Sequence, residues 1–176
     1  VTPRTKAVVV THIFGNPCDT EKIVEIASKR GIPVIEDCAQ SYLATQNGKL
    51  TGLIGDIGAF SLQQGKHMST GEGGMVLSQN PGYFRRMVLF SDKAWGYGDA
   101  NPDHYFLALN YRMTELQGAV ARAQLAKVQG VVDARQRTAE MLTDQLANTP
   151  GLELPKALPG CSHVYWKYPL IVDPNV

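Results

Sequence analysis

The sequence has little cysteine, almost no net charge and no long apolar run, and each shortage closes off a class of function. Its three cysteines, Cys18, Cys38 and Cys161, are far apart and odd in number. They form no CxxC pair, which argues against a zinc knuckle or a disulfide framework and makes a reducing cytoplasm the expected compartment. Lys and Arg number 17 against 16 Asp and Glu, a net charge of +1. That balance gives no broad surface for nucleic acid or acidic lipid, so neither is an expected partner. No apolar stretch approaches the ~18–20 residues that cross a bilayer, and no signal-peptide pattern opens the chain. Internal repeats and low-complexity tracts are absent too. What is present is 176 residues, 44% hydrophobic and 19% charged, the composition of a globular domain with a sizeable core.

The chain begins at Val1 without Met and stops at Asp173-Pro174-Asn175-Val176, just after a strand-like run. It therefore reads as a fragment of a longer protein, expected to be inactive by itself.

The β-branched run Ala7-Val8-Val9-Val10-Thr11, set between Pro3 and Gly15-Asn16-Pro17, predicts a buried strand. Asp19 is placed to cap a helix from about Thr20 to Arg30, with Ile23, Ile26 and Ala27 as its apolar stripe and Gly31 as its stop. Pro33 to Asp37 is a second strand. Strand, helix and strand in so short a span make a βαβ unit and predict a parallel sheet. Two more short strands are expected at Gly55–Ser61 and Gly74–Ser78, separated by a polar, Gly-rich turn.

A helix is expected from Pro81 to about Phe90, then a loop from Ser91 to Leu109. A second helix should run from Glu115 to about Gln129, with Leu116, Ala119, Val120, Ala123 and Leu125 near one face. Gly130 should interrupt it before helical patterning resumes from Val131 to Leu146. Pro150, Pro155 and Pro159 mark a linker, and a strand is expected from Tyr165 onward.

Chemistry-bearing residues converge on two places: Asp37 at the end of a strand, and Lys66 in the turn that also carries Gly71-Glu72-Gly73-Gly74. Ligands of open parallel sheets bind at the C-terminal ends of strands, so an acid there is well placed. Taken singly, Asp37 is a turn or cap residue and Lys66 a solvated lysine. A Walker loop fails because Phe60 stands at its first glycine and His67 at its Ser/Thr. A dinucleotide fingerprint starting at Gly71 fails because Val76 takes the last Gly/Ala position and a strand-like segment follows.

Four blocks in order carry more than any one alone: Glu36-Asp37-Cys38-Ala39-Gln40, Gly55 to Ser61, Gly65 to Gly74, and Asn110 to Gln117. With His12-Ile13-Phe14-Gly15-Asn16-Pro17 ahead of them, they resemble the DegT/StrS family of sugar aminotransferases that depend on pyridoxal 5'-phosphate (PLP). The resemblance runs from about Pro3 to Val172. It implies an α/β fold of the fold type I aminotransferase kind, a mostly parallel central sheet flanked by helices. Residues 1–150 would be part of the large PLP-binding domain, and 151–176 the linker and start of the small C-terminal domain.

The resemblance also implies roles. Asp37 matches the carboxylate that pairs with the pyridine nitrogen, Gln40 the glutamine against the cofactor ring, and Ser61 a hydroxyl donor to the cofactor phosphate. Lys66 matches the catalytic lysine that carries PLP as a Schiff base and shuttles the proton. Asn110 matches an asparagine that reaches the phosphate in the neighbouring subunit, which implies a homodimer with shared active sites. Each has a plainer alternative: Gln40 and Ser61 as loop donors, Asn110 as a turn cap, His12 as a structural histidine. The implied reaction moves an amino group from glutamate or glutamine to a keto-sugar, nucleotide-linked, or to a keto-cyclitol. No metal is implied. Some relatives replace the lysine with histidine and act as dehydratases. Here Lys66 fills that position and His67 is only its neighbour, so the aminotransferase is the reading, with a dehydratase or a non-catalytic regulatory protein of the same fold as alternatives.

Overall fold

The computed structural model describes residues 1–175. In chain order it runs through β1 (Val8–Thr11), a short 3-10 turn (Ile13–Gly15), α1 (Thr20–Ser28), β2 (Val34–Asp37), β3 (Thr45–Gln46), β4 (Lys49–Leu50), β5 (Ile57–Ser61) and β6 (Gly74–Leu77). Then come α2 (Pro81–Ser91), α3 (Glu115–Leu125), α4 (Val128–Leu146), β7 (Leu152–Glu153), β8 (Cys161–Ser162) and β9 (Ile171–Val172).

The main sheet has the order β1-β2-β5-β6. Its first three strands are parallel, in a register that aligns Thr11 with Asp37 and Asp37 with Ala59. Strand β6 returns antiparallel to β5 and pairs Gly74 with Ser61. The α/β fold with a mixed, mostly parallel sheet is thus the one expected. Because β1, β2 and β5 run the same way, His12, Asp37 and Ser61 all lie at one edge of the sheet.

Burial explains the βαβ unit. Val10, Val34 and Ala27 form one buried cluster, with Ile23, Val24 and Ile32 packed against it, so α1 lies on β1 and β2. Asp19 accepts from the Lys22 backbone N–H at the start of α1. At its end Gly31 takes φ +63°, with Gly31 N–H on Ser28 O and Ile32 N–H on Ala27 O, the Schellman pattern. A second cluster joins Tyr42, Leu62, Met68 and Val128, and a third joins Ala44, Val132 and Val164. Both bring α4 against the loops that follow β2 and β5, at the same sheet edge.

Two expectations need correction. The break between the last two helices falls at Ala126–Lys127, and α4 runs on through Gly130. Glycine in a helix costs only about 1 kcal/mol, whereas the break turns Val128, 4% exposed, into the core. No strand starts at Tyr165, because that residue takes φ +47° and its ring stacks on His163 at 3.8 Å. The strand there is β9, paired with β7. The apolar stripe of α3 is present but unburied: Leu116 is 82% and Leu125 59% exposed. The β3–β4 hairpin was not anticipated; Asn47 and Gly48, both at positive φ, form its two-residue turn. Among the described residues no helix is long and apolar enough to cross a membrane.

Candidate active site

Four of the five expected site residues lie at the edge where the parallel strands end. Asp37 closes β2, and its Oδ1 accepts from the Ala39 N–H at 3.0 Å, which fixes the carboxylate against the turn that follows. Gln40 lies in that turn, its Oε1 accepting from the Phe14 N–H at 2.6 Å. Ser61 closes β5; its Oγ accepts from the Gln63 N–H at 3.3 Å, so its own proton stays available. Lys66 lies in the turn from β5 to β6, where its backbone N–H bonds Gln63 O at 3.0 Å. Its ammonium lies 4.5 Å from the centre of the Trp166 ring.

Asn110 stands apart. It is exposed, forms a β-bridge with Asp92, and its Oδ1 accepts from both the backbone and the Nε of Arg112. Among the described residues no hydrogen bond joins it to the other four.

Behind the edge lies a buried pair that gives it rigidity. His12 and Glu36 are both fully buried, with Nε2 and Oε2 3.0 Å apart. Glu36 Oε1 accepts from the N–H groups of Ile54 and Gly55. Burial pushes the Glu36 carboxyl pKa up, but His12 and the backbone donors outweigh it and hold the carboxyl below its ordinary range. For His12 two influences conflict. Burial favours the neutral ring, while Cys18, Cys38 and Glu36 raise its pKa. The Cys18 amide N–H directed at Nδ1, 3.1 Å away, is the firmer constraint, because a proton on Nδ1 would set two donors face to face. The ring is therefore neutral, with its proton on Nε2 toward Glu36. His12, Glu36 and Cys38 bring ligand-type atoms within 4.8 Å of one another, but these are largely engaged with one another and with backbone groups.

His67, the neighbour of Lys66, is turned inward. It is 4% exposed and its Nε2 lies 3.1 Å from Val164 O. Burial first, then the positive charges of Arg135 and Lys66, lower its pKa, so the neutral ring donates to that carbonyl. Tyr42, which the sequence did not single out, donates its hydroxyl to Ser61 O at 3.1 Å, and burial pushes its phenol up to about 12. Only its place two residues after Gln40 hinted at such a role.

The most telling contacts come from the far end of the chain. Val164 N–H bonds Gly15 O, and Trp166 Nε1–H donates to Gly65 O at 2.7 Å. Arg135 of α4 holds this strap through Tyr165 O and Trp166 O. Gly15 sits where strap and Gln40 turn meet: at φ +90°, a Cβ there would lie 2.8 Å from both Gln40 O and Val164 Cγ2.

The whole chain, residues 1–176, matches the model of the DegT/DnrJ/EryC1/StrS aminotransferase family. It is 34% identical over 173 residues to a GDP-perosamine synthase of Vibrio cholerae, covering 98% of this chain and 47% of that protein. It is 34% identical over 178 residues to an L-glutamine:2-deoxy-scyllo-inosose aminotransferase of Streptoalloteichus tenebrarius, covering 96% of this chain and 42% of that protein. Among solved structures, an aminotransferase from Psychrobacter cryohalolentis superposes with a TM-score of 0.91 at 34% identity, over 99% of this chain and 49% of its own. The chain thus spans about half the length of the relatives it matches.

Proposed function

The chain belongs to the DegT/DnrJ/EryC1/StrS aminotransferase family, and on that premise we propose that it carries the PLP site of a transaminase acting on a keto-sugar, nucleotide-linked, or a keto-cyclitol. Glutamate or glutamine is the amino donor. The observation that supports this reading is that Asp37 and Ser61 close neighbouring parallel strands, with Gln40 in the turn after the first and Lys66 in the turn after the second.

The donor set suits the cofactor: a carboxylate for a ring N–H, a hydroxyl for a phosphate, a primary amine for an aldehyde. When bound, PLP supplies that aldehyde and a ring that takes up electrons from the substrate carbon. Asp37, held through Oδ1, would pair with the ring nitrogen and favour its protonated form. Ser61, already an acceptor from Gln63, would have its hydroxyl proton free for the phosphate. Gln40, tied to Phe14, would be the residue beside the ring. The Lys66 amine would hold the cofactor and, when free, would serve as the proton carrier.

His67 favours transamination over dehydration. Its imidazole is buried and committed to Val164 O, which leaves the lysine as the free base of this turn. Residues 151–176 lead from the large domain toward the small one. The enzyme is a homodimer in which Asn110 reaches the partner's cofactor phosphate. Its exposure supports this, as does that of nearby Leu107, Leu109 and Tyr111 at 94%, 59% and 60%. Three free cysteines suit the cytoplasm. The test is product analysis by the full-length enzyme with a nucleotide-linked keto-sugar and glutamate or glutamine. An amino sugar is expected; a deoxy-sugar without nitrogen would overturn the reading.

A further inference from the structure

Three consecutive residues of the Lys66 turn touch one short segment nearly a hundred residues away. Gly65 O accepts from Trp166 Nε1–H at 2.7 Å, Lys66 Nζ lies 4.5 Å from the Trp166 ring centre, and His67 Nε2 lies 3.1 Å from Val164 O. The two outer contacts fix the ring relative to the turn, and the middle one places the amine over it. An ammonium over an indole face is attracted by the ring quadrupole, and Trp is the best of the aromatic partners. The strap is itself held from behind by Arg135 on two carbonyls and by Gln136 Nε2 on His163 O. Lys167 shares the ring at 4.7 Å, so the indole faces two ammonium groups.

We propose that Trp166 is a positioning residue for Lys66: its anchored indole holds the free amine at the sheet edge, defining the place from which the amine reaches the cofactor aldehyde and to which it returns. This rests on the assignment of Lys66 as the cofactor lysine. Segment 164–167 also bonds Gly15, beside the Gln40 turn, so one strap sets both the amine and the ring contact.

The test uses the full-length apo-protein and PLP as the probe. The Lys66 ammonium gives up a proton to solvent, the neutral amine and the aldehyde form a C=N bond with loss of water, borohydride reduces it, and peptide mass spectrometry reads which lysine is labelled and how fast. In the unmutated protein Lys66 should be labelled faster than Lys167. Trp166→Leu should slow labelling of Lys66 by about two- to fivefold while leaving labelling of Lys29 unchanged. Trp166→Phe keeps a ring but loses the bond to Gly65, so its rate should fall between the two. In the unmutated protein, ring current should move the Lys66 ε-methylene proton resonance upfield, a reading that needs no mutant to fold. Folded Trp166→Leu protein with an unchanged Lys66 rate, or Lys66 ε-protons at random-coil shift, would overturn the inference. Label on another lysine in the unmutated protein would instead remove the Lys66 assignment on which it stands.

Discussion

The edge where β1, β2 and β5 end and the stretch from Asp92 to Leu125, a loop that runs into α3, both carry expected site residues, yet they are held very differently. At the edge, Asp37, Gln40, Ser61 and Lys66 each have a hydrogen bond that fixes their position, and Tyr42, Leu62, Met68 and Val128 pack beneath them. In the second stretch, the Asn110 side chain accepts from its near neighbour Arg112, and Leu107 and Leu116 are 94% and 82% exposed. The first region is preorganised by its own chain. The second presents apolar side chains and a polar hook outward, as a surface completed by another subunit would. If the proposed homodimer holds, such a site would divide its labour, with the reactive groups set within one chain and a phosphate contact supplied across an interface.

The largest expected effect is at the edge. Asp37→Asn keeps the shape but removes the charge that favours a protonated ring nitrogen, and turnover of the full-length enzyme should fall by about two to three powers of ten. Near-normal turnover would reduce Asp37 to a turn residue. Next comes the interface. A charge-assisted bond to phosphate is worth roughly 1.5–3 kcal/mol, so Asn110→Ala should weaken PLP affinity by about one to two powers of ten. Mixing Lys66→Ala subunits with Asn110→Ala subunits sharpens this. If Asn110 acts in trans, a heterodimer has one intact site and activity returns. No recovery after demonstrated subunit exchange would place Asn110 in its own subunit's site.

Much of the edge was legible in advance, and for a physical reason: its elements are set by local signals. β-branched runs bounded by Gly and Pro gave the strands, Asp19 and Gly31 bounded α1, and the acid at the end of β2 follows from strand polarity. The roles of Gln40, Ser61 and Asn110 came from family resemblance, not from spacing. What stayed hidden depended on distant contacts. The sequence from Tyr165 onward reads as a strand, yet contacts with Arg135, Gly15 and Gly65 hold the strap from His163 to Tyr168 as a clamp. The break before α4 likewise follows where Val128 must pack, which no window of sequence reports. The hairpin turn at Asn47-Gly48 was a readable signal that went unused.

Stability separates the two regions again. Leu62→Ala, beneath the edge and fully buried, should destabilise by about 2–5 kcal/mol. Leu116→Ala, on the exposed face of α3, should stay within about 0.5 kcal/mol in the isolated chain. Denaturant unfolding of both variants checks this, and equal losses would erase the distinction. A smaller effect is expected with pH. Burial lowers the His163 pKa from 6.5 to about 4, only partly opposed by its backbone contact at Gly15. Between those values the unfolded chain binds the proton and the folded chain does not, so stability is present above about 6.5 and declines as pH falls toward 4. His163→Gln should flatten the fall in thermal midpoint across that window; an unchanged slope would assign the acid sensitivity to other groups.

The central claim, that Lys66 is the cofactor lysine of this edge, has one direct measurement. Full-length protein is equilibrated with PLP, reduced with borohydride, digested and mapped by mass spectrometry. The account predicts a single reduced pyridoxyl label on Lys66, with the visible absorbance of a protonated imine lost on reduction. A label on Lys49 or Lys93 instead, or no label with the protein folded and saturated, would contradict it.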